Sequence, residues 1–364
     1  MLFRRFMDDD LGCASYLIGD EHAGDAVLVD PAYAVEPYIE EAERRGLRLT
    51  GVLETQTHAD HVSGHGRLAL EVGLPVHVHE AAEATYPHEQ LGDGSEVELG
   101  DVVMRTVHTP GHRPEHCAFA VIDHARGEEP CLVLTAAVGA QHPHAPNTER
   151  IVELNRGPFV PAQPPLNQVS DAGDAVVLDV RPQPAFADGH RPGAVNVPIS
   201  GSSFATRAAF VLPERPVLLH ARGADEAHRA ARSLHAVGIF NLVGWQSGGG
   251  TERLEPVTVD ELEHMLASGE IEVLDVREAD ERDAGFIPGT DHMPYRNMRQ
   301  AAENGLIGGR QVVTICESGE RAAVAASVLR AAGVDARPVL GGGIAEWRMR
   351  GGEMASFRRC GGHS

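Results

Sequence analysis

The sequence predicts an α/β protein of several domains, each built on a mainly parallel sheet covered by helices. Its 364 residues suffice for two or three domains of ordinary size. Short β-branched runs alternate with helical runs rich in Ala, Leu and Arg, and this alternation is typical of parallel sheets packed between helices. The second half of the chain also repeats itself, which indicates two copies of one domain.

The repeat is visible in three stretches that recur at a constant spacing. Val-Val-Leu-Asp-Val-Arg at 176–181 matches Glu-Val-Leu-Asp-Val-Arg at 272–277, and Gly-His-Arg-Pro-Gly at 189–193 matches Gly-Phe-Ile-Pro-Gly at 285–289. Val-Leu-Leu-His, ending at His220, likewise matches the run ending at Cys316. The predicted boundaries are 1–147 for an N-terminal domain, 148–170 for a linker, 171–256 and 257–354 for the two copies, and 355–364 for a tail.

Composition excludes several classes of function. The net charge of −22 opposes binding to nucleic acid or to an anionic membrane. The chain contains no lysine, so Schiff-base chemistry is excluded. No run of about 20 apolar residues predicts a membrane span, and the first residues lack the apolar core of a secretory signal. We therefore expect a cytoplasmic protein.

The second copy contains a candidate nucleophile, Cys316. It follows a predicted buried strand, and a helix is predicted to begin near Arg321. The short loop between them can turn its backbone N–H groups inward, with the helix N-terminus adding positive potential. Such a cradle stabilises a thiolate, which can attack sulfane sulfur and hold it as a persulfide. The predicted substrate-binding loop comprises Glu317, Ser318, Gly319 and Glu320.

The loop sequence also fits two other interpretations. A cysteine after a buried strand is often an inert core residue. A cysteine phosphatase also uses a Cys-to-Arg loop, but with five intervening residues; here there are four, so the ring suits a single sulfur atom better than a phosphate. Glu317 and Glu320 add negative charge, and we expect them to disfavour a dianionic donor such as thiosulfate, or to favour a donor with its own positive group.

These motifs together resemble a rhodanese domain: Asp-Val-Arg, Gly-x-Ile-Pro-Gly, Cys-x-x-Gly-x-Arg, and a later Gly-Gly-Gly-x-x-x-Trp that ends at Trp347. The resemblance implies that Cys316 carries a persulfide, that Arg321 ties the loop down, and that Asp275 with Arg277 supports its base. In the first copy His220 stands in place of the cysteine and Asp225 in place of the arginine. We therefore expect the first copy to be inactive.

The N-terminal region carries clustered histidines and acids, a pattern typical of metal ligands. The run Glu-Thr-Gln-Thr-His-Ala-Asp-His at 54–61 and Thr-Pro-Gly-His-Arg-Pro-Glu-His at 109–116 resemble the metallo-β-lactamase fold, and within it the persulfide dioxygenases. That resemblance implies a mononuclear iron held by two histidines and an aspartate. At those positions this chain has Gln56, His112 and Ala137.

One surviving ligand of three predicts a shortened, non-catalytic domain without iron or zinc. An alternative remains open, because binuclear hydrolases of this fold bind zinc at the positions of His58, Asp60, His61 and His112. The missing half of the fold would expose apolar sheet surface. Packing against the two repeat domains, or a homodimer, would cover it.

Three functions follow as hypotheses. The first is a sulfurtransferase that moves sulfane sulfur from a small persulfide or thiosulfate to a thiol acceptor such as glutathione or a thioredoxin-like protein. The second is a degenerate binding or regulatory protein in which Cys316 senses polysulfide without turnover. The third is a persulfide dioxygenase, which the residues Gln56 and Ala137 oppose.

Overall fold

A computed structural model shows two compact units. One comprises Met1–Pro164 with Arg232–Phe240, and the other comprises Pro165–Ala231 with Asn241–Ser364. Ala137, one of the predicted ligand positions, lies outside the described residues. No helix in the described part of the chain is long and apolar enough to cross a membrane. The structure describes residues 1–8, 10–136, 147–201, 203–269 and 271–357.

The first unit contains a six-stranded mixed sheet and a four-stranded antiparallel sheet. The six-stranded sheet follows chain order, antiparallel over its first three strands and parallel from the third to the sixth. Its strands are Leu2–Asp8 (β1), Cys13–Asp20 (β2), Asp25–Val29 (β3), Arg48–Leu53 (β4), Val76–His79 (β5) and Glu89–Leu91 (β6). The second sheet has the order β10-β9-β8-β7, with strands Glu96–Glu98 (β7), Val102–His108 (β8), Cys117–Asp123 (β9) and Pro130–Leu134 (β10).

The core of this unit lies between the two sheets. Val27 and Val29 of β3 pack with Met104 of β8 and with Phe119 and Val121 of β9. Side chains alternate along β3, so Ala26 and Leu28 face the other side and pack against the first helix. The helical segments are Glu36–Arg45 (α1), His65–Arg67 (α2) continuing as a π-helix over Leu68–Val72, a 3₁₀ turn at Glu80–Ala82, and Thr148–Arg156 (α3).

Helix α3 corrects the predicted linker of 148–170. The first part of that segment, Thr148–Arg156, is a helix that belongs to the first unit. The buried Asn155 amide accepts a hydrogen bond from the Ser63 N–H at 2.9 Å and donates to the carbonyls of His58 and His61 at 3.0 and 2.8 Å. These bonds satisfy backbone groups beside the histidine motif, so the helix helps to hold that loop.

The second unit contains two four-stranded parallel sheets of the same topology, which confirms the two predicted α/β repeat domains. The first has the order β12-β11-β13-β14 and the second β16-β15-β17-β18. The strands are Val176–Asp179 (β11), Val195–Asn196 (β12), Val217–His220 (β13), Leu242–Gln246 (β14), Glu272–Asp275 (β15), Asp291–His292 (β16), Val312–Ile315 (β17) and Ala336–Pro338 (β18).

Helices cover both sheets, as the alternating pattern predicts. They are Gln183–Asp188 (α4), Phe204–Val211 (α5), Ala224–Ala236 (α6), Val259–Ser268 (α7), Ala279–Ala284 (α8), Met298–Glu303 (α9) after a 3₁₀ turn at Tyr295–Asn297, Glu320–Ala331 (α10) and Gly343–Met349 (α11). Helix α10 is buried along most of its length, because its Ala- and Val-rich sequence lets it pack closely. In each copy the central strand ends at the same edge of its sheet, at His220 in one and just before Cys316 in the other.

Candidate functional site

Cys316 sits in a cradle of backbone N–H groups. Its side chain is 1% exposed, directly after β17. The sulfur accepts hydrogen bonds from the N–H of Gly319 at 3.1 Å and from the N–H of Ala322 at 3.4 Å. Ala322 lies in the first turn of α10, so the positive end of that helix faces the sulfur. The geometry favours negative charge on the sulfur.

Glycine is required at two points of this cradle. Gly319 has φ +102°, and a Cβ there would lie 3.1 Å from the Val339 carbonyl oxygen. Gly343, the first residue of α11, has φ +50°, and a Cβ there would collide with the Cys316 carbonyl oxygen. That carbonyl accepts a hydrogen bond from the Ile344 N–H at 3.0 Å. The glycine run therefore docks α11 onto the cysteine loop.

Asp275 and Arg277 form a buried pair beneath the loop. Arg277 is 2% exposed and donates from Nε and Nη2 to the Asp275 carboxylate at 3.0 and 2.8 Å. Its Nη2 also donates to the Gly285 carbonyl at 2.6 Å, and its Nη1 to Glu317 at 3.2 Å. Burial lowers the pKa of Arg277, but the hydrogen bonds to Asp275 outweigh it and leave the pKa raised. Arg277 thus connects Asp275, which lies beneath the loop, to Glu317 in the loop.

Arg321 holds the beginning of α10 in place. Its two terminal nitrogens donate to the Glu281 carboxylate at 2.5 and 2.7 Å, which joins α10 to α8. This bidentate pair raises the pKa of Arg321 and lowers that of Glu281. The guanidinium is therefore engaged by an acid on a neighbouring helix.

The two acids of the loop are both ion-paired. Glu317 lies 3.2 Å from Arg277 and 3.1 Å from Arg348, and Glu320 lies 2.9 Å from Arg207. Ser318 and Glu320 are exposed at the rim of the loop. Because each of the two carboxylates has an arginine partner, the predicted barrier to a dianionic donor is weaker than the loop sequence alone suggests.

The first copy presents a buried histidine at the equivalent point. His220 is 0% exposed, with Nδ1 3.1 Å from an Asp179 carboxylate oxygen and Nε2 3.0 Å from the Gly248 carbonyl oxygen. Burial raises the pKa of Asp179, but hydrogen bonds from His220 and Arg181 outweigh it, and the pKa is lowered. Asp225 lies in the first turn of α6, where α10 has its arginine. His220 is thus hydrogen-bonded through Nε2 and has the Asp179 carboxylate beside Nδ1.

Three of the four predicted zinc-type positions come together in the N-terminal domain. One ligand atom each from His58, Asp60 and His61 lies within 4.8 Å of the others, an arrangement that could hold a metal ion. His61 Nδ1 lies 3.1 Å from the Asp60 carboxylate. In the described part of the chain His112 is not a member of this group. Gln56 is buried, and its Oε1 has no hydrogen-bond partner among the described residues.

The same domain contains a second cluster, of two carboxylates and a histidine, that was not predicted. His58 Nε2 lies 3.3 Å from both Asp30 and Glu54, and all three side chains are buried. Burial lowers the pKa of His58, but the two carboxylates outweigh it and raise the pKa well above its ordinary value. Asp30 and Glu54 directly follow the parallel neighbours β3 and β4, so their convergence at one sheet edge could have been inferred.

Comparison with known proteins identifies the families that the chain matches. The family model for the metallo-beta-lactamase superfamily matches residues 8–199, and the model for the rhodanese-like domain matches residues 164–252 and 258–350. The chain belongs to the metallo-beta-lactamase superfamily and carries two rhodanese-like domains. The two models overlap over 164–199, where the structure has the first strands of the first rhodanese-like sheet.

Curated relatives match the N-terminal part. Human mitochondrial persulfide dioxygenase ETHE1 is 30% identical over 123 residues, which is 33% of this chain and 48% of that protein. Hydroxyacylglutathione hydrolase of Methylococcus capsulatus is 37% identical over 112 residues, 30% of this chain and 43% of that protein. The chain thus spans about half the length of the curated relatives that it matches, or less.

One solved structure supports the fold over a longer stretch. The crystal structure of a metallo-beta-lactamase from Staphylococcus aureus subsp. aureus COL aligns with a TM-score of 0.61 at 19% identity. It covers 68% of this chain and 98% of its own. At this identity the likeness concerns the fold alone.

Proposed function

We propose that this protein is a sulfurtransferase that carries sulfane sulfur on Cys316. The observation that carries the proposal is the pair of backbone N–H groups directed at the Cys316 sulfur. They stabilise negative charge on the thiolate before the reaction and on the persulfide after it. After loading, the negative charge lies on the outer sulfur, which the nearby positive end of α10 also stabilises.

The reaction has two steps. The Cys316 thiolate attacks the outer sulfur of thiosulfate or of a small persulfide; a new S–S bond forms, the donor's S–S bond breaks, and sulfite or a thiolate leaves with the electron pair. A thiolate acceptor, such as glutathione or a thioredoxin-like protein, then attacks the outer sulfur and releases the Cys316 thiolate. Rhodanese-like domains support sulfur transfer, and the persulfide dioxygenase relatives support persulfide metabolism.

Intact mass spectrometry tests the proposal. The wild-type protein should gain one sulfur atom on exposure to thiosulfate or to glutathione persulfide, and Cys316→Ser should gain none. Cys131→Ser is the matched control, because Cys131 is an exposed thiol on the N-terminal domain. Full transfer activity in Cys316→Ser would overturn the proposal. Stoichiometric loading without turnover would favour the sensing function instead.

We further infer that the N-terminal domain does not hold iron in the manner of a persulfide dioxygenase. Gln56 replaces the first histidine, and a neutral amide oxygen is a weaker ligand than imidazole. The proposed reaction uses no metal.

A further inference from the structure

The first rhodanese-like copy reaches the active loop of the second. Arg207, on α5 of the first copy, places Nη1 2.9 Å from the Glu320 carboxylate. Gln183, at the beginning of α4, donates from Nε2 to the Glu320 carbonyl at 3.4 Å. Both contacts lie within the same compact unit. The copy that has lost its cysteine therefore still contacts the loop that contains one.

These contacts rest on a fixed junction between the copies. The buried Asn196 N–H donates to Ser327 Oγ on α10 at 3.0 Å. Phe210 of α5 packs edge-on against Tyr295, with ring centroids 6.0 Å apart. Arg207 lies in the sequence between Asn196 and Phe210, which make these two contacts. Its side chain is only 15% exposed, whereas that of Glu320 is 51% exposed. The N-terminus of α10 points at the Cys316 sulfur. The junction between the copies therefore fixes the position of this helix and also that of the Arg207 charge beside it.

We propose, on the basis of the proposed sulfurtransferase function, that Arg207 is a positioning residue that sets donor specificity at Cys316. It neutralises Glu320 and holds that carboxylate at the rim of the loop. An uncompensated carboxylate there would repel a dianionic donor and oppose charge on the sulfur. The retained role of the first copy is thus to complete the electrostatics of the second, and the substrate class that it admits is the small anionic sulfane donor.

Arg207→Ala tests this with two donors of different charge, the dianion thiosulfate and the zwitterion 2-aminoethyl persulfide. With thiosulfate, KM should rise roughly two- to fivefold, in keeping with the strength of a partly exposed ion pair, while kcat changes less. With 2-aminoethyl persulfide, whose ammonium group tolerates a free carboxylate, KM should stay the same or fall. Arg207→Lys should recover most of the thiosulfate KM.

The double variant Arg207→Ala/Glu320→Gln separates this role from a merely structural one. Removing the carboxylate should restore the KM for thiosulfate, because the penalty arises from Glu320. The matched control is Arg222→Ala, which removes an ion pair of the same kind, Arg222 with Glu226 at 2.9 Å, within the first copy; it should leave both KM values unchanged. Thermal melting of each variant verifies that it is folded.

The outcomes distinguish this inference from the proposed function. If the wild type transfers sulfur but Arg207→Ala has an unchanged KM for thiosulfate, the inference is overturned and the sulfurtransferase stands. The same conclusion follows if Arg207→Ala changes KM equally for both donors and the double variant Arg207→Ala/Glu320→Gln does not restore the KM for thiosulfate. If the wild type loads no sulfur from either donor, the proposed function fails, and the inference fails with it.

Discussion

Replacing Gly319 by alanine is the most direct test of the amide cradle. At φ +102° an alanine is strained by about 1–3 kcal/mol, and its Cβ would lie 3.1 Å from the Val339 carbonyl oxygen and 3.3 Å from a Leu340 methyl carbon. We expect the loop to relieve this strain by turning the Gly319 peptide away from its present orientation. That peptide supplies the 3.1 Å hydrogen bond to the sulfur.

A hydrogen bond to a charged group contributes about 1.5–3 kcal/mol. Loss of one of the two bonds should therefore slow persulfide formation roughly 10- to 100-fold. The assay is single-turnover loading of Cys316 by thiosulfate, followed by intact mass, together with urea unfolding of the same variant.

The matched control is Gly309→Ala. Gly309 has the same φ of +102°, but a Cβ there would meet nothing within 4 Å. It should lose stability from the backbone strain and keep the wild-type loading rate. A wild-type rate in Gly319→Ala, or an equal loss of rate in both variants, would refute the idea that these amides drive the reaction.

Three other predictions concern the rest of the chain. Asp275→Ala should destabilise the second copy by about 3–5 kcal/mol in urea unfolding, because it leaves the buried Arg277 without its main partner. Burial, with the Arg67 charge adding to it, lowers the pKa of His235 to about 4. Below pH ~6.5 the unfolded chain binds a proton at this histidine that the folded state does not bind, so the stability present above that pH should fall by about 3 kcal/mol toward pH ~4. His235→Phe should flatten that fall. Protein purified without chelators should contain well under one iron or zinc per chain by elemental analysis, whereas a stoichiometric metal lost in His112→Ala would contradict our interpretation of the N-terminal domain.

Local patterns were predictable from sequence, and long-range ion pairs were not. The loop from Cys316 to Arg321 is contiguous, so its strand–loop–helix geometry follows from residues that can be read together. The partners of Glu320 and Arg321 are Arg207 and Glu281, which are far away in sequence. Nothing in the spacing of charged residues indicates which of many arginines meets which acid once the domains are packed.

Tertiary packing also explains the missed helix α3. The Pro-rich run that follows it suggested a linker, and a nine-residue helix is too short to be stable on its own. Asn155 supports it by binding the carbonyls of the histidine loop, a role that no local pattern signals. The Asp30–Glu54–His58 group, by contrast, could have been found from the parallel strands that precede the two acids.

The two copies show which part of the rhodanese-like motif is structural. In each, a buried arginine binds the aspartate two residues before it and donates from Nη2 to a glycine carbonyl, at 2.9 Å for Arg181 and 2.6 Å for Arg277. The pair is preserved whether the neighbouring central strand ends at His220 or just before Cys316. The Asp-Val-Arg sequence therefore predicts the fold, and the chemistry depends on the loop.

His220→Cys, in a Cys316→Ser background, follows from that distinction. A thiolate at that position would lie beside the buried Asp179 carboxylate, which is 3.1 Å from the histidine Nδ1, and like charges would repel. Of the adjoining loop amides, that of Arg222 is already taken by the Glu226 carboxylate at 2.7 Å. The variant should stay unloaded in intact mass after thiosulfate exposure. A persulfide at position 220 would mean that a cysteine after the strand suffices and that the cradle around Cys316 is not what makes it reactive.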